Sequence, residues 1–455
     1  MFRAPTTSNN QRTTIFIMEI DKTTLNDLSI FDIEEEFSVF HKINLCRTSG
    51  GKEQLFRYFN NPLNTIEAIT GVQQTLQLIL KNELHWPAQI TNGTIMVIEK
   101  FYQSVVDEIP SRPSTLSAYV YKLLHNPDFS LVKYSAEHCF DFIKGMQSLV
   151  QLLLKEDSPA PLKKLLSAAE RIIEKEQFII IQQKGSSKEL NAGELLSLAY
   201  FIRNHYKQNM LDLLDIYFQL DAWYGMAQAV KQYRLSFPEF IKTDEPFFSA
   251  KGLYHLLLPD PVAYDIRLSP QSNFLFLTGA NMAGKSTFIK SVGTSVFLAH
   301  LGLGVPATQM QLSLFDGLLS NINVMDNISK GESYFFNEVQ RIKATIQKIN
   351  NGKKWLILID ELFKGTNVQD AMKCSTVVIK GLLKIKRSLF ILSTHLYEIG
   401  DDLKEYPNIS FNYFETTVNQ DQLHFSYQLK QGISNDRLGY LILQKEGITD
   451  LLDRL

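Results

Sequence analysis

The run Gly279-Ala280-Asn281-Met282-Ala283-Gly284-Lys285-Ser286-Thr287 satisfies the spacing G-x-x-x-x-G-K-[ST], the Walker A pattern, at every fixed position. Phosphate is the ligand this spacing suits. Glycines let successive backbone N–H groups turn toward phosphate oxygens, and the helix that follows points its partly positive end at the same anion. Lys285 then supplies a flexible positive charge to the β- and γ-phosphates of ATP, and the Ser286 hydroxyl a ligand to Mg²⁺. The flanks agree with that chemistry: residues 274–278 form a short apolar run typical of a buried parallel strand, and Phe288 opens a stretch of helical apolar spacing.

A second apolar run, 354–359, ends in the adjacent acids Asp360 and Glu361, in the manner of a Walker B strand. Charges at the end of a buried strand are costly unless a cation or a reacting water uses them. Asp360 suits an outer ligand of Mg²⁺, and Glu361 a group that orients or deprotonates the attacking water. Because successive strand residues point to opposite faces, the two carboxylates are expected to do different work. A third strand, 389–394, closes on His395, where ligands gather at the carboxyl ends of such sheets, so His395 is read as a sensor of the γ-phosphate or its water. Taken singly, the acids could cap a strand and the histidine could be an ordinary polar terminus; their order behind the phosphate loop favours the functional reading.

Together these segments resemble the ATPase domain of the MutS DNA mismatch-repair family. The resemblance rests on 278–287, on Asp360-Glu361-Leu362-Phe363-Lys364-Gly365-Thr366-Asn367 and on Ser393-Thr394-His395-Leu396-Tyr397-Glu398. It implies an ABC-like P-loop α/β ATPase acting as a homodimer with two composite sites. Gly331-Glu332-Ser333 matches the family's signature segment, so Ser333 is expected to act in trans on the γ-phosphate of the other subunit; read alone, it is a helix N-cap before Phe336, Val339 and Ile342. The late segment 423–432 is similar to the family's hairpin, and Tyr427 stands where a ring stacks on adenine. Leu256 replaces a usual proline and Tyr264 a common asparagine, which puts the base pocket in doubt.

These groups need a scaffold, and 455 residues are too many for one core. Residues 241–455 are assigned to the ATPase domain and 19–240 to an all-α domain resembling the MutS core or lever, broken at Ser158-Pro159-Ala160-Pro161 and periodic without proline from Leu196 to Val230. The lever resemblance rests on Asp21–Phe31, Gly50–Leu63 and Asp221–Phe240. Residues 1–18 read as a disordered leader, with Met18 an alternative start. Three scattered cysteines indicate neither a zinc site nor a disulfide framework, and no apolar run is long enough to span a membrane, so a cytoplasmic protein is expected.

The core-like segment begins near residue 20, leaving no evident counterpart of the mismatch-reading domain, and little room for a DNA clamp. Lysine and arginine number 46 against 48 acids, so affinity for DNA cannot come from a global positive charge. Lys380, Lys384, Lys386 and Arg387, or Lys163 and Lys164, are local basic clusters, read as solvated faces. Two functions stay open: an ATP-hydrolysing, DNA-binding protein of mismatch repair or related repair, with DNA and downstream repair proteins as partners, or an ATP-switched protein scaffold with no nucleic-acid role. A nucleotide binder without turnover is a third, disfavoured by the intact acidic pair.

Overall fold

The computed structural model describes residues 17–323, 334–419, 422–434 and 448–452. Glu19–Ile20 (β1) and Lys22–Asp27 (α1) open the described chain. A helical region follows: Val39–Ile43 (α2), Ser49–Phe59 (α3), Ile66–Lys81 (α4), Asn92–Gln103 (α5), Thr115–Leu124 (α6), Asn126–Leu153 (α7), Ala160–Ile173 (α8), Ile179–Gln183 (α9), Ala192–His205 (α10) and Lys207–Gln232 (α11). Then come Glu239–Ile241 (β2), Phe248–Leu253 (β3), Tyr264–Leu268 (β4), Phe274–Thr278 (β5), Lys285–His300 (α12), Gln309–Ser313 (β6) and Gly317–Asn321 (β7). The chain continues through Tyr334–Ile349 (α13), Trp355–Asp360 (β8), Val368–Leu382 (α14), Ser388–Ser393 (β9), Ile399–Leu403 (α15), Ile409–Asn419 (β10), Gln422–Gln431 (β11) and Ile448–Leu452 (α16).

The main sheet has the order β1-β7-β8-β9-β5-β10-β11. All its pairings are parallel except β10 with β11. Strands β5, β7 and β9 are buried at every residue and β8 at all but its last, the continuous apolar pattern of a parallel sheet covered on both faces. A second sheet, β2-β6-β3-β4, lies in the same half.

In the helical region α11 packs against α3, α4 and α8, and α7 against α5, α8 and α10. Asp221 of α11 is fully buried and caps the start of α3, accepting from Arg47 N at 3.0 Å, Thr48 N at 2.8 Å and Thr48 Oγ1 at 2.6 Å. The proline-rich break after α7 lies where the sequence puts it. The periodic stretch 196–230 instead divides into α10 and α11 at Tyr206. That ring is buried edge-on against Phe178 at 4.8 Å, and its hydroxyl donates to Ile172 O at 2.6 Å, contacts that a continuous helix would lose.

The opening of the chain departs from the expected leader. Ile17 bridges Leu63 and Met18 is buried with its N–H on Pro62 O at 3.1 Å, so the two last residues of the 1–18 segment belong to the fold. Residues 1–16 lie outside the described residues. Strand β1 pairs with β7, and α1 packs on it, so the start of the presumed helical half adds an edge to the C-terminal sheet. Among the described residues no helix is long and apolar enough to cross a membrane, and the three cysteines are free.

Helix α12 joins the halves. An added Cβ on Gly293 would lie 2.6 Å from both Leu28 Cδ2 and Leu358 Cδ1, so any larger residue would displace those methyls where the helix passes between the opening segment and β8. Phe297 meets Phe59 of α3 edge-on at 5.7 Å. At its C-terminus His300, fully buried, carries its proton on Nδ1 and donates to Leu63 O at 2.8 Å, accepts from Phe315 N at 3.4 Å on Nε2, and takes Leu63 N on its own carbonyl at 2.7 Å. Burial pushes its pKa down to about 4.

That depression has a direction. Above pH 6.5 the ring is neutral folded or unfolded; below it the unfolded chain gains a proton that the folded chain refuses, so stability falls as pH drops toward 4. Urea unfolding at pH 7 and pH 5 should show the wild type losing about 2 kcal/mol more than His300→Gln. His255, also pushed down to about 4, remains in both proteins. Equal losses would remove His300 as a source of acid sensitivity.

Candidate functional site

The loop after β5 turns through Met282 at φ 67° and Gly284 at φ 105°, and Gly284 caps α12. The first N–H groups of a helix have no intrahelical acceptor, so those of Lys285, Ser286 and Thr287 present donors at the loop. Lys285 is largely buried; its Nζ donates to Gly279 O at 2.8 Å and Ala280 O at 2.9 Å and faces His395 Nε2 at 3.4 Å. An ammonium can only donate, so that histidine nitrogen is the acceptor. Burial draws the Lys285 pKa down to about 8 against the pull of Asp360 and Glu361. His395 is also lowered, first by burial and then by the Lys285 charge.

Parallel registration brings the remaining groups level. Asp360 pairs with Ser393 across β8 and β9, and Leu277 of β5 pairs with the same Ser393. Ser286 Oγ donates to Asp360 Oδ2 at 2.5 Å, and Ser393 Oγ donates to Oδ1. Asp360 therefore has both oxygens fixed, with one held by a hydroxyl from the first turn of α12. Hard oxygen ligands of this kind could hold Mg²⁺.

Glu361 departs from the strand alternation expected of it. Strand β8 ends at Asp360, and Glu361 turns at φ 69° with its N–H on Ser393 O at 3.0 Å. Left-handed backbone at a residue with a Cβ costs about 1–2 kcal/mol, and here it brings both acids to the same cavity instead of opposite faces. Lys364 Nζ pairs with Glu361 Oε2 at 3.1 Å. Burial would lower the lysine, but the charge and hydrogen bond of Glu361 carry its pKa above the ordinary lysine value.

The cavity measures about 580 Å³ and is lined by Asn281, Met282, Gly284, Lys285, Ser286, Thr287, Asp360, Glu361, His395 and Tyr427 of the residues singled out in the sequence. Gly279 and Ala280 close it from behind through their carbonyls, and Ala283 is buried in the loop. Tyr427 is partly exposed, at φ 52°, with Cδ1 3.3 Å from where a Cβ on Gly284 would be. Tyr264 lines the same end with its hydroxyl, and Leu256 is buried. Ser333 lies outside the described residues.

Ser393 and Lys364 were in the segments read from sequence but had no role there; their contacts with Asp360 and Glu361 appear only in three dimensions. Several of the basic side chains are engaged within the fold. Lys380 pairs with Glu405 at 3.6 Å and lies over Tyr406, Arg387 donates to Asp244 O at 3.2 Å, and Lys163 to Glu156 O at 3.0 Å.

Residues 275–451 match the family described as MutS domain V. The chain is 27% identical over 337 residues to the DNA mismatch repair protein MutS of Leuconostoc mesenteroides, covering 70% of this chain and 38% of that protein. It is 26% identical over 296 residues to its namesake in Thermotoga maritima, covering 63% and 36%, and 25% identical over 232 residues to that of Petrotoga mobilis, covering 50% and 28%. The matched stretch thus spans between 28% and 38% of each of these curated relatives.

The left-handed loop residue offers a direct check. Gly284→Ala should lower the unfolding free energy by about 1–2 kcal/mol for the backbone alone. Gly352→Ala, at φ 74° with nothing within 4 Å, measures the cost close to the left-handed well without a neighbour, a lower bound for Gly284 at φ 105°. Repeating Gly284→Ala in a Tyr427→Ala background isolates the contact in urea unfolding: a smaller loss without the ring reports a clash with Tyr427, and an equal loss would show that the ring yields freely.

Proposed function

We propose, from the premise that this chain belongs to the MutS family through its domain V, that it binds ATP with Mg²⁺ in the cavity at the ends of β5, β8 and β9 and hydrolyses it to ADP and phosphate. The observation that carries this reading is the convergence of Lys285, Ser286, Asp360, Glu361 and His395 on one cavity from three neighbouring strand ends. Three of them have contacts that a ligand can replace: two backbone carbonyls hold Lys285 Nζ, and Ser286 donates to a carboxylate oxygen of Asp360.

In this reading the N–H groups that open α12 and the Lys285 ammonium bind the phosphates and orient the terminal one. Ser286 and Asp360 hold Mg²⁺, which when bound neutralises charge developing on the transferred phosphoryl group. Glu361 orients the attacking water and accepts its proton once Lys364 releases the carboxylate. His395, neutral near pH 7, keeps its Nε2 as an acceptor toward Lys285. Tyr427 and Tyr264 bound the end of the cavity suited to the base, with stacking by Tyr427 the stronger contribution because its ring is the more accessible.

The wider function follows the same family. A homodimer with composite sites, each completed by Ser333 of the other subunit, would couple ATP to movement of the helical arms on distorted, mismatched or branched DNA in mismatch repair or related repair. The relatives' printed name supports a DNA-repair setting, and a cytoplasmic location belongs to that reading. A second reading, an ATP-switched protein scaffold, draws on α6: Leu116, Tyr119, Val120, Leu123 and Leu124 form an exposed apolar stripe at helical spacing, the kind of surface that marks protein contacts.

Two measurements test the proposal. Glu361→Gln should bind ATP like the wild type while steady-state turnover falls on the order of 10²-fold or more; normal turnover would end the assignment of Glu361. Steady-state ATPase with and without duplex, mismatched and branched DNA, at two salt concentrations, should show stimulation that weakens at high salt. Robust basal turnover with no response to any DNA would favour the scaffold reading.

A further inference from the structure

Glu338 is a buried carboxylate outside the cavity, 4% exposed, in the second turn of α13. Its Oε1 accepts the N–H of Lys364 at 3.1 Å and its Oε2 the N–H of Gly365 at 3.2 Å. Burial of an acid is tolerable only with such partners; here burial raises the Glu338 pKa and the two N–H bonds oppose the rise. Both donors belong to the turn that starts with Glu361 at φ 69° and passes Phe363 at φ 61°.

Other contacts hold the same turn against the same helix. The rings of Phe335 and Phe363 lie 5.6 Å apart. An added Cβ on Gly365 would fall 2.7 Å from Tyr334 Cδ1 and 2.8 Å from Phe335 N, so the turn touches the α13 backbone. Lys364, gripped through its N–H, reaches Glu361 Oε2 with its Nζ at 3.1 Å. Two contacts therefore separate Glu338 from the carboxylate that faces the cavity.

We propose that Glu338 is a positioning residue for hydrolysis: by gripping the N–H groups of Lys364 and Gly365 it fixes the left-handed turn that aims Glu361 into the cavity. The placement of α13 then sets whether Glu361 is aligned. This inference rests on the reading of Glu361 as the water-orienting group. Glu338 has no contact with the cavity itself, so its loss should act on the chemical step and leave nucleotide binding in place.

The test uses the full chain. Glu338→Gln keeps the shape but offers one acceptor oxygen and turns an NH₂ toward an N–H. Displacement of a reacting group by about 1 Å can cost about 10²-fold, so kcat should fall on that order. The Kd for ATP should stay within about twofold, the split expected when only the transition state is affected. Glu338→Asp retains both acceptor oxygens and should recover part of kcat. In a Glu361→Gln background, Glu338→Gln should cause no further loss, because the two act through one group.

Gly365→Ala supplies a variant that leaves the carboxylate untouched. It pries the turn from α13 and should lower kcat with the same unchanged Kd. Wild-type turnover with kcat of Glu338→Gln and Gly365→Ala within about twofold of it would overturn the Glu338 inference alone. An equal loss of ATP binding and kcat, or an additive loss in the double variant, would overturn it too, as general structural damage. Absence of ATP turnover by the wild type would overturn both this inference and the function on which it rests.

Discussion

Burial of α12 between two layers is the constraint on which the rest of the structure depends. Its N-terminus presents the glycine-bearing loop of the cavity, its middle passes at Gly293 between the side chains of Leu28 and Leu358, and its last residue exchanges two hydrogen bonds with Leu63. A helix of 16 residues is about 24 Å long, so one rigid element reaches from the cavity to the base of α3 and α4. Close-packed interiors transmit a displacement better than they absorb it. A change at Lys285 is thereby a change felt by the helical region, which is the mechanical property the ATP-driven reading requires.

The electrostatics of the cavity follow from the same crowding. Lys285 is deep enough for its charge to be disfavoured, yet it has two carbonyl acceptors and two acids nearby. Lys364 has a carboxylate of its own. Lys364 and Glu361 form an ion pair, whereas Lys285 is held by backbone carbonyls and Asp360 by two serine hydroxyls, contacts that phosphate oxygens or a metal ion could replace. Burial disfavours a charge on His395, and protonation would also place a cation 3.4 Å from the Lys285 ammonium, which is why its pKa lies low.

Much of this was legible in the sequence because parallel strands covered on both faces read as unbroken apolar runs. Residues 274–278, 355–359 and 389–393 announce themselves, and the chemistry stands at their ends. Side-chain-to-backbone contacts leave no such trace. Glu338 reads as one more polar position on an amphipathic helix, because its partners are N–H groups of a distant turn. Likewise β1 is a two-residue strand, too short for any periodic signal, and Tyr206 interrupts a periodic stretch by burying its ring instead of by a proline or glycine. The rule of strand alternation failed at Glu361 for a related reason: the strand ended one residue earlier than the acids suggested, and the left-handed turn replaced it.

The anchoring of α13 draws these elements together. Arg341, three residues and so about one turn after Glu338, donates to Ser320 O and Asn321 Oδ1 at the end of β7. Arg341 also lies 3.8 Å from Asp27 of α1, a carboxylate that accepts from Ser320 Oγ at 2.5 Å, Ile322 N at 3.0 Å and Asn323 N at 3.1 Å. Helix α13 is therefore fastened at one point to the opening helix and β7, and at another to the turn that carries Glu361. The opening segment pairs with the C-terminal sheet through β1, meets α12 through Leu28 and meets α13 through Asp27, so it touches both the helix that borders the cavity and the helix that holds the turn of Glu361. A buried ion pair is poor evidence of added stability, but it fixes geometry, because breaking it leaves a charge uncompensated. The two carboxylates Asp27 and Glu338 accordingly act as geometric locks, holding one helix in register with the strand ends where Lys285, Asp360 and Glu361 meet.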